Sequence, residues 1–193
     1  MHEGDSYVSE SGHKYLLVSP MGQSNVWTAV DENQNVCVIK QPAPSDTRTG
    51  WPDFQNEMIM HELFKKSKHI RLQIDRVMPR THEEPPRIVL EIMGHTLWSA
   101  RQKRPFSTSE VHIIMKKALL GLRDVHKAGL VYADLKMQNI LIDGLDVLSD
   151  GNDSSFDSLN VKLGDLGIGK SSSARIRRRC EFASVYHTSL NTH

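Results

Sequence analysis

Short apolar runs, separated by polar turns, fill the first third of the chain. Residues 15–18, 26–30 and 36–39 are rich in strand-forming side chains, and each run has the length of a single strand. Five polar residues at 31–35 form a turn between the second and third runs. A further run at 87–93 leads into a glycine. This pattern predicts the beginning of a small antiparallel sheet.

Helical spacing replaces this pattern at 54–66 and again after Ser107. Ser107 and Glu110 have the Ser-x-x-Glu form of a capping box, and apolar side chains then recur at helical intervals from Val111 to Val125. Gly129 follows, and glycine commonly terminates a helix. The apolar stripe of this second helix is predicted to be core.

Composition limits the class of protein. The chain has 193 residues, 38% of them hydrophobic, and a formal net charge of +1, which predicts one large domain or two small lobes with a substantial core. The only cysteines, Cys37 and Cys180, argue against a disulfide framework. No leader-like start and no apolar stretch of bilayer length is present. We therefore expect an intracellular protein, cytoplasmic or nuclear, without a membrane partner.

Two acidic residues and one amide suit the chemistry of phosphoryl transfer. Asp134 and Asn139 have D-x-x-x-x-N spacing, and Asp165 follows within a Gly-Asp-Leu-Gly segment. This chemistry needs a carboxylate near the attacking hydroxyl and oxygen ligands that hold magnesium against phosphates. Magnesium often uses only one or two protein carboxylates, so one Asp and one Asn are sufficient. Taken alone, the D-x-x-x-x-N spacing also fits a polar surface loop.

The order of these residues along the chain resembles a eukaryotic-type protein kinase domain of the Ser/Thr kind. Lys40 ends a Cys-Val-Ile-Lys segment and Glu57 lies on the first predicted helix, and Asp134, Asn139 and Asp165 then follow in the order of that family. The resemblance covers roughly residues 15 to 190, without an A-P-E motif. It therefore describes a kinase domain truncated within the activation segment.

The resemblance implies an α+β fold in which residues 1–193 form a single partial kinase domain with two lobes. A small N-terminal antiparallel β lobe would span residues 12–93, and an incomplete, mainly helical C-terminal lobe would span residues 94–193. Residues 144–160 are rich in Asp, Ser, Gly and Asn, and we expect them to form a flexible insertion in a hairpin. Because later helices are missing, we expect the apolar stripe of the second helix to be partly uncovered.

The resemblance also implies chemical roles for the matching residues. Asp134 would be the catalytic base, and Lys136 would steady the transferred phosphate, as in Ser/Thr-directed members of the family. Asn139 and Asp165 would bind Mg²⁺. The implied reaction transfers a phosphoryl group from Mg-ATP to a serine or threonine hydroxyl of a protein substrate.

Contacts to the nucleotide follow from the same resemblance. Lys40 would reach the first two phosphates of ATP and be held by Glu57, with Glu62 as the alternative partner. The strand at 87–93 resembles the hinge that offers backbone groups to the adenine edge. The residues implied around adenine are Glu91 and Met93 of the hinge, Val38 above the base, and Val26 and Leu141.

Two segments depart from the family pattern. Ser19, Met21 and Ser24 occupy the positions of a glycine-rich loop, and side chains there keep a loop from approaching phosphates closely. Tyr132 and Ala133 replace the His-Arg pair before the catalytic aspartate, which argues against control by activation-loop phosphorylation. A pseudokinase or nucleotide-binding scaffold without turnover therefore stays open as the alternative function.

Other interpretations have less support. A small-molecule phosphotransferase would favour a histidine just before the catalytic aspartate, and Lys136 argues against it. The acidic residues between 146 and 157 lack the bidentate glutamate and the well-placed glycine of a calcium loop. The basic run at 175–179 would suit nucleic acid, but it lies where the activation segment is expected. A nucleic-acid partner is therefore not expected.

Overall fold

A six-stranded antiparallel sheet forms the N-terminal part of the computed structural model, which describes residues 1–46, 51–81, 83–145 and 159–167. Its strand order is β1-β2-β3-β4-β6-β5. The strands are β1 (Ser6–Val8), β2 (Lys14–Met21), β3 (Gln23–Asp31), β4 (Val36–Lys40), β5 (Gln73–Val77) and β6 (Arg87–Glu91). The strands predicted in this part of the chain are confirmed, although the run at 87–93 leaves the sheet after Glu91.

Alternation along the strands gives this sheet two buried faces. Successive side chains of a strand point to opposite faces, so Val38 belongs to one face while Cys37 and Ile39 belong to the other. The first face carries the cluster Tyr15, Leu17, Trp27, Ala29, Cys37, Ile39 and Val89. The second face packs against helix α1 (Pro52–Leu63) through Val38, Phe54, Met58, Ile88 and Leu90. This packing fixes α1 against β4.

A three-stranded sheet and two helices make up the described residues of the C-terminal part. The sheet has the order β7 (His95–Thr96), β8 (Ile140–Asp143), β9 (Asn160–Leu163), and a 3-10 turn (Met137–Asn139) leads into β8. Helices α2 (Leu97–Lys103) and α3 (Thr108–Lys127) pack on it. Because Ile140 pairs with Leu163, the residues just before β8 and just after β9 are neighbours.

Helix α3 begins with the predicted capping box. The Ser107 hydroxyl accepts a hydrogen bond from the Glu110 N–H at 3.2 Å, and the Glu110 carboxylate accepts one from the Ser107 N–H at 2.7 Å. Arg104 lies 2.6 Å from the same carboxylate, and its hydrogen bond lowers the pKa of Glu110 to about 2. The capping prediction is confirmed, and the cap also carries an ion pair.

The apolar stripe of α3 is only partly covered. Ile114 and Ala118 are buried in the core shared with β8 and β9. Val111, Met115 and Leu119, on the same stripe, are 43%, 40% and 63% exposed. The expectation of a partly uncovered stripe is therefore confirmed.

Several predicted segments fall outside the described residues. Of the insertion predicted at 144–160, residues 146–158 are among them, and so are the acidic positions of the rejected calcium loop, Cys180 and the basic run at 175–179. At the ends of the insertion, Leu145 and Leu159 are buried and Asn160 belongs to β9. The limits of the insertion and of the two lobes remain predictions. Among the described residues, no helix has the combined length and apolarity needed to cross a bilayer.

Candidate active site

A cleft of about 390 Å³ lies between the first sheet and the β8–β9 hairpin. Most of the residues that the sequence predicted for the site line this cleft: Val26, Lys40, Glu57, Met93, Asn139, Leu141 and Asp165. The remaining predicted residues lie outside its lining: Val38, Glu91, Asp134 and Lys136. The structure therefore brings together side chains that are up to 139 positions apart, from 26 to 165.

Lys40, at the end of β4, contacts both acidic residues of the cleft. Its Nζ lies 2.6 Å from Glu57 Oε1 and 3.2 Å from Asp165 Oδ1. Burial opposes a charge on this ammonium, but the attraction of Glu57 and then of Asp165 outweighs burial and raises the pKa of Lys40. Burial also raises the pKa of Glu57 against the attraction of Lys40, so this carboxylate needs the ammonium to stay ionised. Lys40 is thus a fixed cation in the cleft.

The acidic partner on α1 is Glu57, and not Glu62. The Glu57 side chain is 7% exposed, whereas that of Glu62 is 46% exposed and pairs with Lys65. His61 lies one turn after Glu57, but burial lowers the pKa of His61 to about 4. The imidazole is therefore neutral at neutral pH and does not compete with Lys40 for the carboxylate.

Asp165 follows β9 in a backbone conformation that only a few non-glycine residues adopt. Its φ is +47°, in the left-handed region. The next residue, Leu166, is 3% exposed and packs in a cluster with Phe64 and Leu130. Strand β9 on one side and this buried leucine on the other hold the Asp165 carboxylate in the cleft.

Asp134, Lys136 and Asn139 form a second polar cluster in the loop before β8. Asn139 Nδ2 donates to the Asp134 carboxylate at 2.8 Å and to the Asp134 backbone carbonyl at 2.9 Å. Lys136 Nζ lies 2.7 Å from the same carboxylate, and its hydrogen bond, followed by that of Asn139, lowers the pKa of Asp134. Asn139 is 6% exposed and anchors the cluster. Asp134 is thus an ionised and oriented carboxylate at neutral pH.

Gly164 connects the two polar clusters. Its N–H donates to the Asn139 backbone carbonyl at 2.8 Å, and its own carbonyl accepts a hydrogen bond from the Tyr132 hydroxyl. Burial raises the pKa of Tyr132, so the phenol stays protonated and remains a donor. A Cβ on residue 164 would lie 2.8 Å from the Leu141 side chain, which favours glycine. Tyr132, at a position where the resemblance implies a histidine, therefore positions the backbone next to Asp165.

Met93, just after β6, lines the cleft, whereas Glu91, the last residue of β6, does not. The Glu91 carboxylate lies 2.6 Å from Lys162 Nζ and accepts a hydrogen bond from the Leu72 N–H at 2.6 Å. The Glu91 backbone carbonyl accepts hydrogen bonds from Arg71 Nε at 3.0 Å and Nη2 at 2.8 Å. Arg71 itself lines the cleft. Sequence reasoning missed Arg71 because no motif surrounds it.

The turn between β2 and β3 is tighter than a glycine-rich loop. β2 runs to Met21 and β3 starts at Gln23, with Gly22 at φ +68° between them. Both Met21 and Gln23 line the cleft, so side chains lie where such a loop would offer bare backbone. Val38, predicted above the adenine, is 1% exposed and packs in the cluster with α1.

Comparison with known protein families decides the assignment of the chain. The protein kinase domain matches residues 21–189. The chain belongs to the protein kinase family. The predicted kinase-like fold with two lobes is thereby confirmed, with the antiparallel sheet as the N-terminal lobe and few helices in the rest of the described residues.

Curated relatives of this kinase domain include mitogen-activated protein kinases. The chain is 29% identical over 162 residues to the mitogen-activated protein kinase hog1 of Blastobotrys adeninivorans, covering 81% of the chain and 36% of the relative. It is 30% identical over 169 residues to HOG1 of Candida albicans, covering 84% and 40%. It is 27% identical over 135 residues to the serine/threonine-protein kinase pakA of Talaromyces marneffei, covering 67% and 20%. The chain thus spans two fifths or less of the length of these relatives.

The donor set of the kinase domain fits magnesium. Asn139 and Asp165 place an amide oxygen and a carboxylate on the same cleft, and both are hard oxygen ligands. Asn139 uses Nδ2 to bind Asp134, so its amide oxygen is not needed for that contact. Lys40 contacts Oδ1 of Asp165, which leaves Oδ2 for a metal. Magnesium commonly completes its coordination with phosphate and water oxygens.

Proposed function

We propose that this kinase domain transfers the terminal phosphoryl group of Mg-ATP to a serine or threonine hydroxyl of a protein substrate. The observation that carries the proposal is the position of Lys40 Nζ, 2.6 Å from Glu57 and 3.2 Å from Asp165 in the cleft. Phosphoryl transfer depends mainly on positioning and on charge placed where it develops. A fixed ammonium beside a metal-binding carboxylate supplies both the positioning and the charge.

Asp134 is the proposed base. Its lowered pKa keeps the carboxylate ionised. Asn139 donates one hydrogen bond to this carboxylate and a second to the Asp134 backbone carbonyl, and together they orient the residue. As the hydroxyl oxygen of the substrate forms its bond to phosphorus and the bond to the ADP oxygen breaks, the carboxylate accepts the hydroxyl proton. Lys136, which pairs with the ionised carboxylate at 2.7 Å, is then free to contact the phosphoryl oxygens.

Asn139 serves both halves of the reaction in this proposal. Its amide nitrogen holds the base Asp134, and its amide oxygen would bind the metal together with Asp165. Bound magnesium would neutralise charge on the phosphates. One side chain would thus hold the base and supply one of the metal ligands.

The proposal implies particular partners and a location. Lys136 lies two residues after the base, as in Ser/Thr-directed members of the family, so the substrate is a protein with an accessible serine or threonine. We propose a cytoplasmic or nuclear location, where ATP and such substrates are available. Mitogen-activated protein kinases and pakA, the relatives above, carry names consistent with this class.

Transfer of labelled phosphate tests the proposal. One peptide is made with Ser, Thr or Tyr at the acceptor position and is assayed with and without magnesium. We expect magnesium-dependent transfer to Ser and Thr only, and we expect Asp134→Asn to lower the rate by about 100-fold or more. Asp143→Asn, which changes an exposed aspartate of β8 outside the cleft, is the matched control and should keep the wild-type rate.

Two outcomes would contradict the proposal. Equal transfer by the wild type and Asp134→Asn would exclude Asp134 as the base. Binding of Mg-ATP by the wild type without transfer to any of the peptides would instead support the scaffold function.

A further inference from the structure

A guanidinium occupies the edge of the cleft where a nucleotide base would meet the hinge. Arg71 lines the cleft together with Met93 of the hinge and with the Lys40–Glu57 pair. Its backbone N–H donates to the Leu163 carbonyl at 2.8 Å, and its backbone carbonyl lies 3.2 Å from His61 Nδ1. Its Nε and Nη2 both donate to the Glu91 carbonyl. Contacts on two sides therefore fix the Arg71 backbone, and the Glu91 carbonyl holds the guanidinium.

This contact changes what the hinge offers to a base. A backbone carbonyl has two lone pairs, and two guanidinium N–H groups already point at the Glu91 carbonyl. Arg71 lines the cleft and Glu91 does not, so a base that approached this carbonyl from the cleft would meet the guanidinium. No described residue accepts a hydrogen bond from Arg71 Nη1. This edge of the cleft therefore presents hydrogen-bond donors where the exocyclic amino group of adenine would need an acceptor.

The charge on Arg71 persists at neutral pH. Burial lowers the pKa of Arg71 to about 10, while the nearby carboxylates Glu91, Glu57 and Asp165 act in the opposite direction. The side chain is thus a cation that has given up much of its water. A hydrogen bond from such a charged donor is stronger than one between neutral groups.

We propose that Arg71 reads the six-position of the purine and shifts the preference of this cleft from ATP towards 6-oxopurine nucleoside triphosphates. This inference rests on the proposed nucleotide site, in which ATP still binds. The keto oxygen of hypoxanthine or guanine accepts a hydrogen bond from the guanidinium, whereas the amino group of adenine meets a second donor. Arg71 is therefore a specificity-determining residue for the nucleotide.

Inosine triphosphate isolates this contact, because its base differs from adenine only at the six-position and in the proton on the adjoining ring nitrogen. Isothermal titration calorimetry with magnesium gives the Kd of ATP and of inosine triphosphate for each protein. We expect the wild type to bind inosine triphosphate at least as tightly as ATP. In Arg71→Leu the ratio of the two Kd values should move about tenfold towards ATP.

Two further variants complete the test. Arg123→Leu removes an arginine of α3 that is 53% exposed and outside the cleft, and it should keep the wild-type ratio. Arg71→Gln keeps a polar side chain and therefore serves as the second variant if Arg71→Leu does not fold. It should shift the ratio of the two Kd values in the same direction.

The possible failures are distinguishable. If both triphosphates bind, and substitution of Arg71 leaves their Kd ratio unchanged, the role of Arg71 is overturned while the proposed kinase site stands. An equal loss of affinity for both triphosphates in the Arg71 variants would likewise overturn base reading, since it would assign Arg71 to the phosphates. If neither triphosphate binds the wild type, the proposed nucleotide site is overturned together with this inference.

Discussion

Replacing Lys40 with methionine leaves Glu57 as a buried carboxylate without its counter-ion. The Glu57 side chain is 7% exposed, and its Oε1 lies 2.6 Å from the Lys40 ammonium. Removal of one partner from a buried ion pair costs about 3–5 kcal/mol. Asp165 stays in the cleft and repels the carboxylate, which adds to the effect of burial on its pKa. Glu57 can take up a proton in this variant, and protonation limits the cost at low pH.

The stability of Lys40→Met should change with pH in a definite direction. Burial raises the pKa of Glu57 above its ordinary value of 4.5, and loss of Lys40 removes the attraction that opposes this rise. A folded state that binds more protons than the unfolded chain becomes less stable as pH increases. The stability of Lys40→Met should therefore fall from pH 4.5 upwards, by about 1.4 kcal/mol for each unit by which the pKa is raised. The double variant Lys40→Met/Glu57→Gln has no carboxylate at position 57, so its stability should change less with pH.

Urea denaturation at pH 5 and pH 8, followed by circular dichroism, measures these differences. At pH 8 the double variant should be more stable than Lys40→Met, although it contains one substitution more. Lys65→Met is the matched control, because Lys65 and Glu62 are 53% and 46% exposed and such surface pairs contribute about 0–1 kcal/mol. The reasoning is refuted if the single and double variants are equally stable at pH 8, or if Lys65→Met loses as much as Lys40→Met.

Two other substitutions probe packing and positioning. Gly121→Ala improves helix propensity by about 1 kcal/mol, but the new Cβ would lie 2.8 Å from the His69 carbonyl oxygen and 2.9 Å from the Leu163 side chain. Overpacking costs about 1–3 kcal/mol, so thermal denaturation should show a net loss; a gain would mean that α3 shifts freely. Tyr132→Phe leaves the Gly164 carbonyl without its donor, at a cost of about 1–3 kcal/mol. If Tyr132 positions Asp165, kcat for peptide phosphorylation should fall more than KM rises; unchanged kcat would contradict that role.

The sequence predicted those site residues that belong to ordered motifs. Lys40 ends a strand and Glu57 lies on the helix that packs over that strand, so pattern and order together indicated their contact. Asp134 and Asn139 are five positions apart in one loop, and such a short separation nearly determines their proximity. Short runs of strand-forming residues likewise predicted the strands that carry Val26 and Lys40.

What remained unpredicted depends on contacts between distant segments. Arg71 donates to the carbonyl of Glu91, 20 positions later, and nothing in its neighbourhood of the sequence indicates which way its side chain turns. The same contact and the Lys162 pair keep Glu91 out of the cleft lining, although its position in the hinge matched the family. The tight turn at Gly22 depends on how far β2 and β3 stay paired, and local composition does not determine that length.

The β8–β9 hairpin explains how a long connection between two strands is compatible with a precise site. Ile140 pairs with Leu163 at the end of the hairpin that carries Asn139 and Gly164, and Asp143 pairs with Asn160 at the other end. The connection between the strands leaves from this second end. Loop closure changes only slowly with loop length, so added residues there have little effect on the pairing. The spacing of the proposed base and metal ligands is therefore set by strand register, and the connection can differ in length without moving them.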